Sequence, residues 1–281
     1  MGRVYYAGFV ASKPLALITG ASAGIGATFA RALAARGYDL ILVARRRDRL
    51  EKLATELASA HAIRADVMAA DLTDPAQLQH VEARVRSAPA LDLLINNAGF
   101  GIVGRFWETD VEEQGRLHRL HIIAPMRLTH AALAVMVPAG RGAVINVSSL
   151  AGFVASPGSA TYVATKSWMN RFTEGIYMEL GRMASPVRVQ ALCPGFTYTE
   201  FHDVAGIDRG TIAAQLWMSA ESVVEASLAG LERKASLAGL ERNRLFVIPG
   251  WRYKLIARAI GILPASLVRA GAIRMARRRR Q

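Results

Sequence analysis

The chain is poor in cysteine: Cys193 is the single one among 281 residues, so no intramolecular disulfide can form. This fits a reducing compartment, and we expect a cytoplasmic location. The sequence has no stretch of about 18 uncharged apolar residues, so we predict no membrane-spanning helix. Residues 1–14 lack the long apolar core of a secretory signal.

Acidic residues are missing from the end of the chain. Residues 252–281 hold nine Arg or Lys and no Asp or Glu, whereas the remainder carries 26 bases and 22 acids. Eight large aliphatic residues share this segment, and Pro264 divides it, which predicts two short basic amphipathic helices. Two interpretations stay open: contact with an anionic membrane surface, or packing on the body or a neighbouring subunit. We do not expect nucleic-acid binding, because the tail lacks interleaved aromatic residues.

Strand and helix patterns alternate without a break from residue 15 to 250, which favours one large core. A hydrophobic content of 52% is enough for a sheet that is buried on both faces. We therefore divide the chain into a lead (residues 1–14), one α/β domain (15–250) and a basic tail (251–281).

A glycine-rich turn follows the first apolar run. Residues 15–18 indicate a buried strand and residues 29–36 the next helix. Between them, glycines stand at positions 20, 24 and 26, spaced Gly-x3-Gly-x-Gly. Glycine lets the backbone turn tightly and approach a diphosphate, which then lies at a helix N-terminus. Taken alone, this turn is equally consistent with an ordinary strand–helix connection.

Further motifs follow in order along the chain. Asn96-Asn97-Ala98-Gly99 ends the strand pattern of residues 91–95, and Pro194-Gly195 ends that of residues 187–192. Ser148-Ser149 and Tyr162-x3-Lys166 lie between them. Each motif alone could be a turn or an amphipathic helix. In this order, and one strand–helix unit apart, they are hard to explain as coincidence.

Tyr162 and Lys166 are four residues apart and so lie on one face of a helix. An ammonium beside a phenol favours the phenolate, so we expect Lys166 to lower the Tyr162 pKa from its ordinary value of about 10. Such a phenol can donate or accept a proton at a carbonyl or alcohol oxygen.

Through these motifs, roughly residues 14–250 resemble the short-chain dehydrogenase/reductase family. The resemblance implies a single-domain Rossmann-type fold with a doubly wound parallel sheet of about seven strands. It also implies hydride transfer between a nicotinamide cofactor and a carbonyl/alcohol pair. Tyr162 would be the general acid or base, Lys166 would lower its pKa and hold the nicotinamide ribose, and Ser149 would bond the substrate oxygen. Ser148 is less favoured, because adjacent strand-end residues point to opposite sides.

The resemblance also implies the cofactor site, in which Asp71-Leu72 matches the adenine-contacting pair. Arg45 follows the second strand pattern, where enzymes that use NAD(H) usually have an acidic residue. Its guanidinium suits a 2′-phosphate, so we predict NADP(H) over NAD(H), whereas Arg47 fits a solvated helix start. No metal site is predicted. The cofactor-contacting residues are Gly20, Ser22, Ala23, Gly24, Ile25, Gly26, Arg45, Asp71, Leu72, Asn96, Asn97, Ala98, Gly99, Tyr162, Lys166, Pro194, Gly195, Thr197 and Thr199.

One position departs from the family pattern. The family usually has an Asn in the helix before the Ser-bearing strand, where it supports a water-mediated proton path to the Lys. Here His121 takes that place. It could form a modified relay, because imidazole has donor and acceptor sites, or it could be a buried side chain that supports the helix.

Residues 196–222 correspond to the family's mobile cover over the substrate pocket. They are rich in apolar and aromatic residues, and Phe153 would add to the same wall, so we expect a lipophilic ketone or alcohol as substrate. The alternative is a catalytically weak nucleotide-binding protein with a regulatory or scaffolding role, which the complete set of Ser149, Tyr162 and Lys166 argues against. We expect a homodimer or homotetramer, as is usual in the family.

A nine-residue sequence is repeated in tandem, as ASLAGLERK at residues 226–234 and ASLAGLERN at residues 235–243. Two such copies are too short for a repeat architecture. The repeat predicts a helix that is longer by roughly 13 Å, at about 1.5 Å per residue.

Overall fold

A computed structural model of the protein describes residues 13–88, 91–232 and 245–278. Within these ranges, seven parallel strands form one sheet in the order β3-β2-β1-β4-β5-β6-β7. The chain adds strands outward from β1 to β3 and then returns to the other side of β1 with β4. Open α/β sheets bind ligands beyond the carboxyl ends of their strands, at such a reversal. The strands are β1 Leu15–Thr19, β2 Asp39–Ala44, β3 Ala65–Ala69, β4 Leu91–Asn96, β5 Ala143–Val147, β6 Arg188–Leu192 and β7 Phe246–Val247.

Helices connect the strands and cover both faces of the sheet, which confirms the predicted doubly wound fold. The first helix begins at Gly24, earlier than predicted, because Gly24 and Gly26 belong to its first turn. The helices are α1 Gly24–Ala34, α2 Arg47–His61, α3 Pro75–Arg86, α4 Val111–His118, α5 Ala124–Ala139, α6 Ala160–Arg182, α7 Glu200–Val204, α8 Ala220–Glu232, α9 Trp251–Ile262 and α10 Ala265–Arg278.

Alternate strand residues build two cores, one on each face of the sheet. Ile18 and Leu42 pack with Phe29 of α1 and with residues of α2 and α8. Leu17 and Ile41 point to the opposite face, where they pack with α3 and α5. Each such side chain contributes about 1.5–3 kcal/mol when it is fully buried. The two cores fix the strand ends that carry the site.

A continuous helical stretch, Val111–Ala139, contains α4, a π-helical turn over Arg119–Ile123, and α5. In the described parts of the chain it alone has the length and mean hydropathy, 1.5, of a membrane span, although it is not free of charged residues. Leu128, Ala131 and Ala132 are fully buried in the core beneath the sheet. A core helix of this kind is expected to be long and apolar.

The tail forms two short helices, α9 and α10, on either side of Pro264. Tyr253 of α9 is buried, and the rest of α9 is mostly exposed. The Tyr253 hydroxyl donates to the Leu216 carbonyl oxygen and accepts a hydrogen bond from the Phe196 N–H at 3.0 Å. The second copy of the nine-residue repeat and the helix extension predicted from it lie outside the described residues, as do residues 1–12.

Candidate active site

The glycine turn between β1 and α1 fits an anionic ligand. α1 begins without a side-chain cap and without an acidic residue in its first turn, so its first N–H groups remain available to an anion. Gly24 has φ +53°, which favours glycine, and a side chain there would press against Thr199. Gly26 lies so close to Gly20 that any side chain would overlap the Gly20 carbonyl. These glycines therefore present backbone, not side chains, to the cleft.

The Asn96–Gly99 motif ties the end of β4 to the end of β1. The Thr19 hydroxyl oxygen accepts hydrogen bonds from the N–H groups of Asn97 and Ala98, at 2.9 and 3.0 Å. The Asn97 side chain donates to the Thr19 carbonyl at 2.9 Å. Asn96 is buried and donates to Asn146 Oδ1 at 2.8 Å. The motif thus holds the floor of the cleft at the strand-order reversal.

Ser149, Tyr162 and Lys166 meet where β5 ends and α6 begins. Ser148 Oγ donates to the Lys166 carbonyl at 3.1 Å, whereas the Ser149 side chain lies near enough to Tyr162 to affect the pKa of the phenol. Lys166 Nζ lies 5.8 Å from the centre of the Tyr162 ring and donates to the Val147 carbonyl at 2.8 Å. The structure thus brings the three predicted side chains together.

The pKa values at this cluster differ from the expectation. Burial raises the pKa of Tyr162 to about 12, although the nearby Ser149 hydroxyl acts in the opposite direction. Burial lowers the pKa of Lys166 to about 8. The expected lowering of the phenol pKa is absent, because burial of Tyr162 is the dominant effect. At neutral pH the phenol therefore carries its proton and Lys166 its charge.

His121 is buried in the π-helical turn, and both its ring nitrogens have partners. Nε2 accepts the Phe100 N–H at 3.2 Å, so Nδ1 carries the proton that Thr165 Oγ1 accepts at 3.0 Å. Burial lowers the His121 pKa well below its ordinary value, and the charges of Lys166 and His118 act in the same direction. Its ring meets the Tyr162 ring edge-on, with centroids 5.8 Å apart. This geometry favours the supporting role over the relay.

A cavity of about 10 Å³ separates Lys166 from the floor of the cleft. Its volume is close to that needed for one water molecule. Asn96, His121 and Lys166 line it, together with apolar residues. Asn96 Oδ1 is buried and has no hydrogen-bond partner among the described residues.

The three arginines after β2 have different neighbours. Arg45 is exposed, and its charge helps to lower the pKa of Asp71. Arg46, which the sequence analysis did not select, donates to Ser22 Oγ from Nε and Nη2, at 3.2 and 3.1 Å. It also pairs with Glu200 at 2.9 Å. Arg47 pairs with Glu51 on the surface at 3.4 Å, as a solvated helix start would.

Asp71 and Leu72 follow β3, near Arg45. Leu72 is buried in the core. Burial opposes ionisation of Asp71, yet hydrogen bonds from Thr73 and the charges of Arg45 and Arg116 hold its pKa below the ordinary value. Asp71 is therefore a carboxylate at neutral pH.

The segment after β6 covers the cleft. Thr197 is buried and donates to the Gly195 carbonyl at 3.1 Å, and Thr199 caps α7. Phe201 of α7 faces Tyr162, with ring centroids 5.7 Å apart, and Tyr198 stacks on Trp217 at 4.9 Å. Phe153, which was expected in the same wall, instead packs edge-on against Phe246. The predicted apolar wall thus lies mainly on the cover.

Known proteins are similar to this chain in sequence and fold. The family model for short chain dehydrogenase matches residues 14–209. A short-chain dehydrogenase from Sphingobium yanoikuyae, solved in complex with NADPH, is 36% identical, with a TM-score of 0.77, over 89% of this chain and 96% of that one. The bulky-bulky ketone specific alcohol dehydrogenase from Comamonas testosteroni is 33% identical, with a TM-score of 0.74, over 89% and 95%. Sulfoacetaldehyde reductase from Chromohalobacter salexigens is 34% identical over 74% of this chain and 84% of its own.

The sheet order, the glycine turn and the Ser149–Tyr162–Lys166 cluster agree with these matches. The chain therefore belongs to the short-chain dehydrogenase/reductase family of nicotinamide-dependent oxidoreductases.

Proposed function

We propose that the protein uses NADP(H) to interconvert a lipophilic ketone and its secondary alcohol. The observation that carries this proposal is the cluster of Ser149, Tyr162 and Lys166, in which the Tyr162 ring lies 5.8 Å from Lys166 Nζ and 5.7 Å from the ring of Phe201. It places a protonated phenol and a second hydroxyl together under an apolar cover.

The residues of this cluster have distinct roles in the proposal. NADPH, when bound, would supply the hydride for the carbonyl carbon. Tyr162 gives its proton to the carbonyl oxygen in reduction and takes it back in alcohol oxidation, while Ser149 bonds the same oxygen. Lys166 keeps a positive charge beneath the phenol, which makes the phenol a better acid as negative charge develops on it.

Cofactor preference rests on Arg46 and Ser22. A guanidinium and a hydroxyl that already meet at 3.1 Å suit the three oxygens of a 2′-phosphate. No acidic residue takes the strand-end position that would bond a 2′-hydroxyl, since Arg45 stands there. The relative from Sphingobium yanoikuyae, which binds NADPH, supports the same preference.

The substrate class rests on the cover. Phe201 lies against Tyr162, and the stacked rings of Tyr198 and Trp217 extend the apolar wall. Such a wall favours ketones with apolar groups over small polar ones. The specificity of the Comamonas testosteroni relative for ketones with two bulky groups supports this class.

Steady-state assays of NADPH consumption against aromatic, aliphatic and steroid ketones test the function. We expect bulky apolar ketones to be reduced, with kcat/KM at least about tenfold higher for NADPH than for NADH, as the loss of one charge-assisted contact predicts. Equal efficiency with NADH would overturn the cofactor preference. If no ketone is reduced and no secondary alcohol is oxidised, the alternative of a catalytically weak nucleotide-binding protein holds.

We also propose that the protein is cytoplasmic and assembles as a homodimer or homotetramer through α5 and α6. This arrangement is usual for the family, and Met126 and Met178 of these helices are exposed. Light scattering after size-exclusion chromatography tests the assembly, and a monomeric mass would contradict it.

A further inference from the structure

An apolar stripe runs along the exposed side of α9. Trp251, Leu255 and Ile262 are 64%, 53% and 83% exposed. Their spacing of four and then seven residues places them on one face of a helix with 3.6 residues per turn. Leu263 and Leu267 continue the exposed apolar surface through the turn into α10.

Basic side chains border this stripe on both sides. Counting about 100° per residue, Lys254 and Arg258 fall along one edge and Arg252 along the other. The Arg252 guanidinium lies 4.8 Å from the centre of the Trp251 ring. Residues 252–281 contain no acidic side chain. The stripe is therefore apolar in its middle and uniformly positive at its margins.

The opposite side of α9 is fixed to the body, so the helix cannot turn over to bury the stripe. Tyr253 is buried and bonded to the cover through Leu216 and Phe196. Gly195 passes so close to the Tyr253 ring that any side chain at that position would overlap it. The buried side of α9 therefore holds the stripe outward.

We infer that α9, with the start of α10, binds the surface of an anionic lipid bilayer. Such a surface covers the apolar stripe and neutralises the bases at its margins at the same time. A second copy that packed through the same stripe would bring two sets of positive charges together, and nucleic acid would leave the stripe exposed. This inference does not depend on the proposed activity.

Co-sedimentation of the full-length protein with vesicles tests the inference. One set of vesicles contains phosphatidylcholine alone, and the other contains phosphatidylserine as well. We expect binding to the anionic vesicles only, and a decrease in binding as salt rises, because counterions screen the bases. Each base at the margin can be replaced in turn, as Arg252→Gln, Lys254→Gln and Arg258→Gln. Each substitution should weaken binding on the order of fivefold.

The apolar stripe has its own variant and a matched control. The double substitution Leu255→Glu/Ile262→Glu should weaken binding at least tenfold. The control is Trp107→Glu/Val111→Glu, which adds the same charge away from α9, at side chains that are 78% and 70% exposed. This variant should bind as the wild type does. Far-UV circular dichroism checks that both variants are folded.

Three outcomes would overturn the inference. The wild type could stay in the supernatant with both kinds of vesicle at low salt. The double variant of α9 could bind as tightly as the wild type, which would place the lipid contact elsewhere, such as in residues 1–12. The same variant could instead dissociate an oligomer that does not bind vesicles, which would make the stripe an interface between copies of the chain.

Discussion

Arg46 and Ser22 join the end of β2 to the glycine turn. Two nitrogens of the Arg46 guanidinium donate to the Ser22 hydroxyl, at 3.1 and 3.2 Å. In doubly wound folds, these two elements hold the ribose of the adenosine half of a dinucleotide. A third nitrogen of Arg46 pairs with Glu200, the first residue of α7. This one guanidinium thus links the glycine turn to the cover.

The substitution Arg46→Gln should weaken NADPH binding selectively. We expect KM for NADPH to rise about tenfold or more, because a charge-assisted contact with the phosphate is lost, while KM for NADH changes less than about twofold. Arg47→Gln is the matched control, since Arg47 pairs with Glu51 on the surface. The measurement is initial rate against each cofactor. Equal effects of the Arg46 substitution on both cofactors would contradict this role.

The substitution Glu200→Gln should have the opposite effect. Glu200 holds Arg46 at 2.9 Å and Arg49 at 2.6 Å, and so competes with an incoming phosphate for both guanidinium groups. Without the carboxylate, we expect KM for NADPH to fall about two- to fivefold. The effect is small because a partly exposed ion pair contributes little free energy. KM for NADH should stay the same as in the wild type. A higher KM for NADPH would mean that Glu200 serves mainly to hold the cover in place.

The rate of ketone reduction should depend on the charge of Lys166. Its pKa is lowered to about 8 by burial, whereas the pKa of Tyr162 is raised to about 12. Above pH 8 the ammonium loses its proton while the phenol keeps its own, so the phenol becomes a weaker acid. We therefore expect kcat/KM for reduction to fall as pH rises through about 8. A profile that stays level to pH 10 would contradict this assignment.

The substitution His121→Asn should cost stability and leave the pH profile of catalysis unchanged. Loss of one buried hydrogen bond costs about 1–3 kcal/mol of unfolding free energy, which urea denaturation measures. Because burial holds the His121 pKa well below its ordinary value, the ring is neutral in the folded state at working pH. A shifted activity profile in the Asn variant would instead restore the relay role.

The same lowered pKa makes the wild type sensitive to acid. The unfolded chain binds a proton at His121 at its ordinary pKa, whereas the folded protein does so only at lower pH. The wild type should therefore lose stability as pH falls below about 6.5, and the stability gap to the Asn variant should narrow. A constant gap between pH 7 and 5 would argue against the lowered pKa.

The motif order predicted the sheet and the place of the site, because each motif follows a strand and parallel strands present their carboxyl ends at one edge. The alternation of side chains along a strand also predicted that Ser148 and Ser149 point to opposite sides. The structure turns Ser148 towards the α6 backbone and Ser149 towards Tyr162. Residues within regular strands and helices point in directions that their spacing fixes.

The directions of side chains outside regular strands and helices could not be predicted from spacing. Arg46 is the extended residue before α2, with φ −85° and ψ 90°, so strand alternation no longer decides whether it or Arg45 faces Ser22. Spacing likewise placed Lys166 near Tyr162 but gave neither the burial of the phenol nor the Val147 carbonyl that binds the ammonium. These features depend on packing against distant parts of the chain.

In the proposed reaction, Tyr162 exchanges a proton with the substrate oxygen during NADPH-dependent reduction. The most direct test is Tyr162→Phe, compared with the wild type by single-turnover oxidation of NADPH with the best ketone and by fluorescence titration of NADPH. We predict a rate about 10²–10⁴-fold lower, with NADPH affinity unchanged within about threefold. A variant that reduces the ketone at the wild-type rate, or that loses NADPH binding together with activity, would contradict the claim.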